Sequence, residues 1–318
     1  MRYCLKNIGG YPIYRHTYNG MIGEATAELT VTDVDYKGTM ALEPAIKMYA
    51  GFAAAKTKAI TANTVNITAG YTDTAGASDL YFGRLVGVAN GAVTITNGSY
   101  SGNVTAAASS ASNCYGGIIG CISSGNSQFT DVTVSGTISN STSKTAQKLG
   151  GLAAVIESAA GTVELSNVTV SGLTISGSST GSCGGLLGYG WYKSDVTVGN
   201  NSTVGVTVSN SSQVSATGGG AAGLVYGATG KWTVNNLAFN SFSVGSSPSS
   251  FGMIVNKGWI NKDGIYMVLP SGYSYVIDSS VNPTGITVFD ELVAYSADTG
   301  KVCRNGQVSY PFIPVQLP

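Results

Sequence analysis

Residues 116–136 read GGIIGCISSGNSQFTDVTVSG, and residues 150–172 read GGLAAVIESAAGTVELSNVTVSG. Each opens on glycine and a short apolar run, passes through a small polar turn, and closes on an alternation of apolar residues with Thr, Ser, Asn or Asp. Alternation with a period of two is strand patterning, and the Ser, Asn and Gly clusters are its punctuation. Neither stretch can bury its apolar face alone. Laid one on the other at the ~4.8 Å spacing of paired strands, both are buried. The two stretches therefore predict a parallel β-solenoid.

The opening recurs outward in both directions. It reads GRLVG at Gly83, GIIG at Gly117, GLAAV at Gly151, GLLG at Gly185, GLVYG at Gly223 and GMIV at Gly252, at intervals of 34, 34, 34, 38 and 29 residues. Weaker members, GMIG at Gly20 and GFAAA at Gly51, extend the series backwards. Fixed-period self-similarity is the signature of a repeat architecture. The expectation is an all-β chain: a parallel β-solenoid (β-helix) of about seven to eight coils of roughly 34 residues, with terminal caps. Residues 1–19 read as an N-terminal cap, 20–261 as the solenoid repeat region, and 262–318 as a non-repeating C-terminal cap or connecting segment. Each unit is expected to hold three short strands. Only Pro44 to Lys56 carries a helical pattern.

Two columns follow from the repeat. The residue after each glycine (Ile118, Leu152, Leu186 and Leu224) is expected to point inward and stack along the axis. Alignment on the Ser-Gly step places Asn97, Asp131 and Asn167 at one position. Asn and Asp tolerate the left-handed conformation of a corner. An Asn there is also expected to hydrogen-bond to the backbone of the neighbouring coil.

The segments GGIIGC (116–121), GGLAAV (150–155), CGGLLGY (183–189) and AAGLVYG (221–227) resemble the GLUG repeats of bacterial surface proteins. ITNGSYSGNV (95–104) is similar to the second half of that repeat. The resemblance covers residues 80–255 well and 20–80 weakly; GLAAV and GMIV lack the closing glycine. It implies a large secreted, cell-surface, adhesin-like protein, and it brings no catalytic residues.

The residues themselves offer little chemistry. The 318-residue chain has 44 glycines, is 43 % hydrophobic and 10 % charged, and carries no formal net charge. That is enough apolar material for a core, and no basic patch speaks for nucleic acid. No apolar run is long enough for a transmembrane helix. MRYCLKNIGGYPIYRH at the start has no apolar signal-peptide core. The five cysteines (Cys4, Cys114, Cys121, Cys183 and Cys303) include no CxxC, so no zinc site is expected. His16 is the sole histidine, which excludes histidine-based triads and metal sites. Asp131 with Glu164, Asp33 with Asp35, and Asp290 with Glu291 are the acid pairs a β-helix glycosidase or lyase would need. No basic cluster or third acid joins them. Trp191, Tyr192 and Trp232 lie in turns after the glycine segments and are the candidate binding residues, since exposed aromatics stack on sugar rings.

The expected function is an extracellular structural or adhesive β-solenoid module of a surface protein, without catalytic activity, metal or cofactor. Its expected partners are surface glycans, or another copy or segment of a surface assembly. A phage or virion tail-fibre component that binds surface carbohydrate is the first alternative, which would place the chain on a virion. A carbohydrate-active β-helix enzyme is the second.

Overall fold

The computed structural model describes residues 16–41, 47–72, 79–106, 113–140, 148–176 and 182–190, and beyond them strands at 196–199, 203–208, 217–219, 222–225, 232–235, 238–244, 251–252, 265–269, 273–277, 292–296, 302–305 and 312–316. Every regular element among the described residues is a β-strand. One sheet of eight parallel strands collects His16–Asn19, Lys47–Ala50, Asp79–Gly83, Cys114–Gly116, Lys148–Gly150, Ser182–Gly184, Thr217–Gly219 and Phe251–Gly252. A second sheet, of 16 strands, holds the remainder of each turn, including the long strands Ile22–Ala41, Ala54–Thr72, Ile119–Asn140 and Ala153–Ser176. The architecture is a parallel β-solenoid, of about four turns between residues 47 and 176.

In the turns that hold Ile22–Ala41, Ala54–Thr72, Ile119–Asn140 and Ala153–Ser176, a short strand enters, the chain reverses, and one long bent strand replaces the expected set of short strands. In the turn of residues 79–106 the same path is divided into Val86–Ala89, Val93–Ser101 and Asn103–Ala106. Within Ile119–Asn140 the pairing slips at Ile122/Ser124, Gly125/Ser127 and Val134/Gly136, where corners are turned. The helical reading of Pro44 to Lys56 is also corrected: Lys47–Ala50 is a strand, and another begins at Ala54. Its alanines serve close packing. Ala53, Ala54 and Ala55 are buried where two backbones approach.

The register of the glycine column differs from the expected one. Gly83 pairs with Gly116, Gly116 with Gly150, Gly150 with Gly184, Gly184 with Gly219, and Gly219 with Gly252. The intervals are 33, 34, 34, 35 and 33 residues, so the irregular 38 and 29 disappear. Gly117, Gly151 and Gly185 form the next column, and Arg84 takes their place in the turn of Gly83. Gly223 belongs to neither: Ala222 pairs with Leu187 and Leu224 with Tyr189, which puts Gly223 level with Gly188. The reason for the doubled glycine is steric. A Cβ at Gly116 or Gly150 would overlap the carbonyl of Ile119 or Ala153 in its own turn, and one at Gly117 or Gly151 would overlap the next turn's Gly151 or Gly185 carbonyl.

Inside, Ile118, Leu152 and Leu186 form one column, linked by backbone bonds from Ile118 N to Leu152 O and from Leu152 N to Leu186 O. All three are fully buried, each contributing about 1.5–3 kcal/mol of transfer free energy. Leu224 is not in that column, since its partner is Tyr189. Large and small side chains compensate along other columns. Tyr100 replaces the valines Val134 and Val170, and Gly98 replaces Val132 and Val168 beside it. A Cβ at Gly98 would stand 2.9 Å from the Tyr100 ring.

Towards the C-terminus, Trp232–Asn235 pairs in parallel with Ile265–Leu269, which pairs in parallel with Leu292–Ser296. Antiparallel pairs follow, between Leu292–Ser296 and Val302–Asn305 and between Tyr273–Ile277 and Phe312–Gln316.

Candidate functional site

The outer surface of the turns is organised as polar ladders. Asp33, Thr64, Asn97, Asp131 and Asn167 occupy one corner of successive turns, and all have φ of 52–54°. The bonds that join them run between side chains, not to the neighbouring backbone as expected for this position. Asn167 Nδ2 donates to Asp131 Oδ1. Asn97 Nδ2 donates to Asn63 Oδ1 at 3.1 Å, and Thr96 Oγ1 donates to the same oxygen at 2.9 Å. Two residues past the corner on the same strands, Ser99 donates to Asn66 at 2.8 Å and Asn66 donates to Asp35 at 2.7 Å.

Such bonds occupy Asp35, Asp131 and Glu164 among the acids singled out as glycosidase candidates. Gln128 Nε2 donates to Glu164 Oε2 at 3.0 Å. Glu164 is level with Gln128, and Asp131 is level with Asn167, so the two acids stand three residues out of register on adjacent strands. Thr61 likewise donates to Glu28 at 2.8 Å, and Lys56 forms a 3.3 Å ion pair with Glu24. Among the described residues no three His, Cys, Asp or Glu side chains gather as a metal site. No described helix is long and apolar enough to cross a membrane. Trp191, Tyr192, Asp290 and Glu291 lie outside the described residues. Trp232, expected in a turn, instead opens the strand Trp232–Asn235, paired with Val196 and Ile265.

A second cluster lies on the other face of the short strands. The short strand and the start of the long strand run back past each other so closely that a Cβ on Gly120 would stand 2.8 Å from Phe82 N. Tyr115 on the short strand and Ile119 and Ile122 on the long one enter the main core. The residues between them close an outer seam of Tyr49, Val88, Cys114, Cys121, Val155 and Tyr189 over Ala55 and Ala154. Cations decorate this seam. Lys56 Nζ is 5.3 Å from the Tyr49 ring centroid, and Lys148 Nζ is 5.0 Å from that of Tyr189. Glu157 is half-buried beside them. Burial pushes its carboxyl above the ordinary range, and Lys148 pulls it back in part. Cys121 Sγ donates a long hydrogen bond to Glu157 Oε1 at 4.0 Å.

Arg84 is the polar residue the sequence reading passed over. It is fully buried. Nη1 donates to Gly117 O at 3.1 Å and Nη2 to Gly102 O at 2.6 Å, while Nε has no partner among the described residues. Burial pulls its guanidinium down to about 10. Its signal was present in GRLVG, the one opening whose glycine is followed by a charge.

In comparison with known proteins, the chain matches no family model, no curated protein and no solved structure.

Proposed function

We propose that this chain is an extracellular structural or adhesive module of a bacterial surface protein of the GLUG-repeat kind, with seven to eight coils between an N-terminal cap (1–19) and a C-terminal cap or connecting segment (262–318), and without catalytic activity. The observation that carries the reading is the use of the surface acids. Glu24, Glu28, Asp35, Asp131 and Glu164 each accept a hydrogen bond from a neighbouring turn. Carboxylates spent on turn-to-turn bonds stiffen a scaffold, whereas a glycosidase needs two aimed at one bond. Trp191, Tyr192 and Trp232 are the proposed glycan contacts.

The test is a glycan array probed with the purified chain, beside a polysaccharide panel assayed for new reducing or unsaturated ends. The reading expects binding to surface glycans, weakened at least about tenfold by Trp191→Ala or Trp232→Ala, and no new ends. Chain cleavage that disappears in Asp131→Ala or Glu164→Ala would establish the enzyme instead. Recovery of the native protein in purified virions, and not in cell envelopes, would establish the tail fibre.

A further inference from the structure

We propose that Cys114 and Cys121 form an intramolecular disulfide that fastens the outer seam of their turn. Cys114 opens the short strand Cys114–Gly116, and Cys121 lies just inside the long strand Ile119–Asn140. The chain reverses between them, so the two residues flank the close approach of Gly120 to the short strands. Register fixes what they face. Cys114 shares a column with Tyr81 and Tyr49, and Cys121 shares one with Val88 and Lys56. In the turn of residues 47–72 the members of these two columns meet across the seam, with Lys56 Nζ 5.3 Å from the Tyr49 ring centroid. Cys114 and Cys121 are the corresponding pair two turns on. Both belong to the seam cluster, at 1 % and 3 % exposure.

A disulfide needs Cα atoms roughly 4.4–6.8 Å apart and Cβ vectors that converge. The bond therefore requires the seam that both residues share to bring the pair into that range. Cys183 lacks that placement, because its register position is the column of Leu149 and Tyr115, which enters the main core. The chemistry is thiol–disulfide exchange with a disulfide oxidant, such as oxidised glutathione or a protein oxidoreductase. The first cysteine attacks as thiolate, one oxidant thiol leaves, and a mixed disulfide remains. The second then displaces the other oxidant thiol, so two protein thiols and one oxidant disulfide become one protein disulfide and two oxidant thiols.

The experiment is equilibration of the full chain in glutathione buffers, acid quench, alkylation in denaturant and peptide mapping. Refolding in the same buffers gives the oxidant access to the seam. The expected result is a Cys114–Cys121 cross-linked peptide, with an equilibrium constant at least about tenfold larger in native buffer than in guanidinium, where only chain proximity favours it. Cys114→Ser and Cys121→Ser should each abolish the link and leave the other cysteine alkylated, while Cys183→Ser leaves it intact. Equal constants in native buffer and denaturant, complete alkylation of both cysteines after refolding, or linkage to a different cysteine would each overturn the proposal.

Discussion

Arg84 Nη1 donates to the carbonyl oxygen of Gly117, the residue that occupies Arg84's own place one turn on. The side chain thus spans a turn boundary, and its other donor holds the Gly102 carbonyl at a corner with φ of 113°. No carboxylate is among its bonded partners, so the stack carries the desolvation cost of a buried cation. An apolar side chain of similar length avoids that cost and fills the space, although it too withdraws the Arg84 donors from Gly117 O and from Gly102 O, which still accepts from Thr137 N; truncation adds a cavity. Arg84→Met should therefore stay within about 1.5 kcal/mol of the parent, and Arg84→Ala should lose ~3–5 kcal/mol. Urea unfolding of the pair checks this; a Met variant as damaged as the Ala variant would show that the two hydrogen bonds outweigh the desolvation.

The inward column makes a quantitative claim. Ile118, Leu152 and Leu186 are at 0 % exposure, with neighbours above and below in register. Leu152→Ala should cost ~2–5 kcal/mol, and the exposed Thr133→Ala well under ~1 kcal/mol. Because a solenoid's stability is close to a nearest-neighbour sum, hydrogen exchange should accelerate first in the turns of Ile118 and Leu186.

Thr64 is the β-branched member of a left-handed corner whose other members are Asp or Asn, yet its φ is 54° like theirs. That conformation is a poor one for a residue branched at Cβ. Thr64→Asn should raise stability by about 1 kcal/mol, and the reciprocal Asn97→Thr should lower it by at least as much. Thermal unfolding midpoints of the two variants should move in opposite directions.

Glu157 makes stability depend on pH in a defined sense. Its carboxyl is raised in the folded protein by burial, with Lys148 opposing. Between its unfolded and folded ionisation ranges the native state therefore holds more protons. Stability falls as pH rises through that window, and the penalty is absent below it. Glu157→Gln should remove this component: the variant gains on the parent above the window and the gain vanishes in acid. Denaturant midpoints of both proteins from about pH 4 to 8 test the sign.

Much of the architecture was legible because burial and period coincide. QFTDVTVSG and TVELSNVTVSG alternate except at Thr130–Asp131 and Ser166–Asn167, where the left-handed corner falls, and in the structure Phe129, Val132 and Val134 stack beneath Leu165, Val168 and Val170. The corner column was readable because Asn and Asp are the residues that tolerate it. The glycine register was misjudged by one residue because Arg84 stands where a glycine was expected, and steric demand on the backbone does not appear in a hydropathy pattern. The seam was not legible at all. Its members, Tyr49, Val88, Cys114, Lys148 and Glu157, share no residue type, and only the strand reversal brings them together. Nor did the acids announce their partners, since Gln128 and Asn167 become donors only once the register is known.

One residue is added between Val170 and Leu173, and the larger lengthening lies ahead of the left-handed corner. From Gly83 to Val93 the chain uses ten residues, from Gly116 to Ser127 eleven, and from Gly150 to Val163 thirteen, although the end points pair in register. From those residues to the left-handed corners at Asn97, Asp131 and Asn167 the count is always four. The larger lengthening falls at the corner that holds Ser124–Asn126 in one turn and Ser158–Thr162 in the next, where Asn126 Oδ1 accepts from Thr162 N at 3.1 Å. Growth by insertion has its main address here among the described turns. A peptide tag or an epitope grafted between Ala159 and Thr162 would follow a route the chain already uses, leaving both sheets in step.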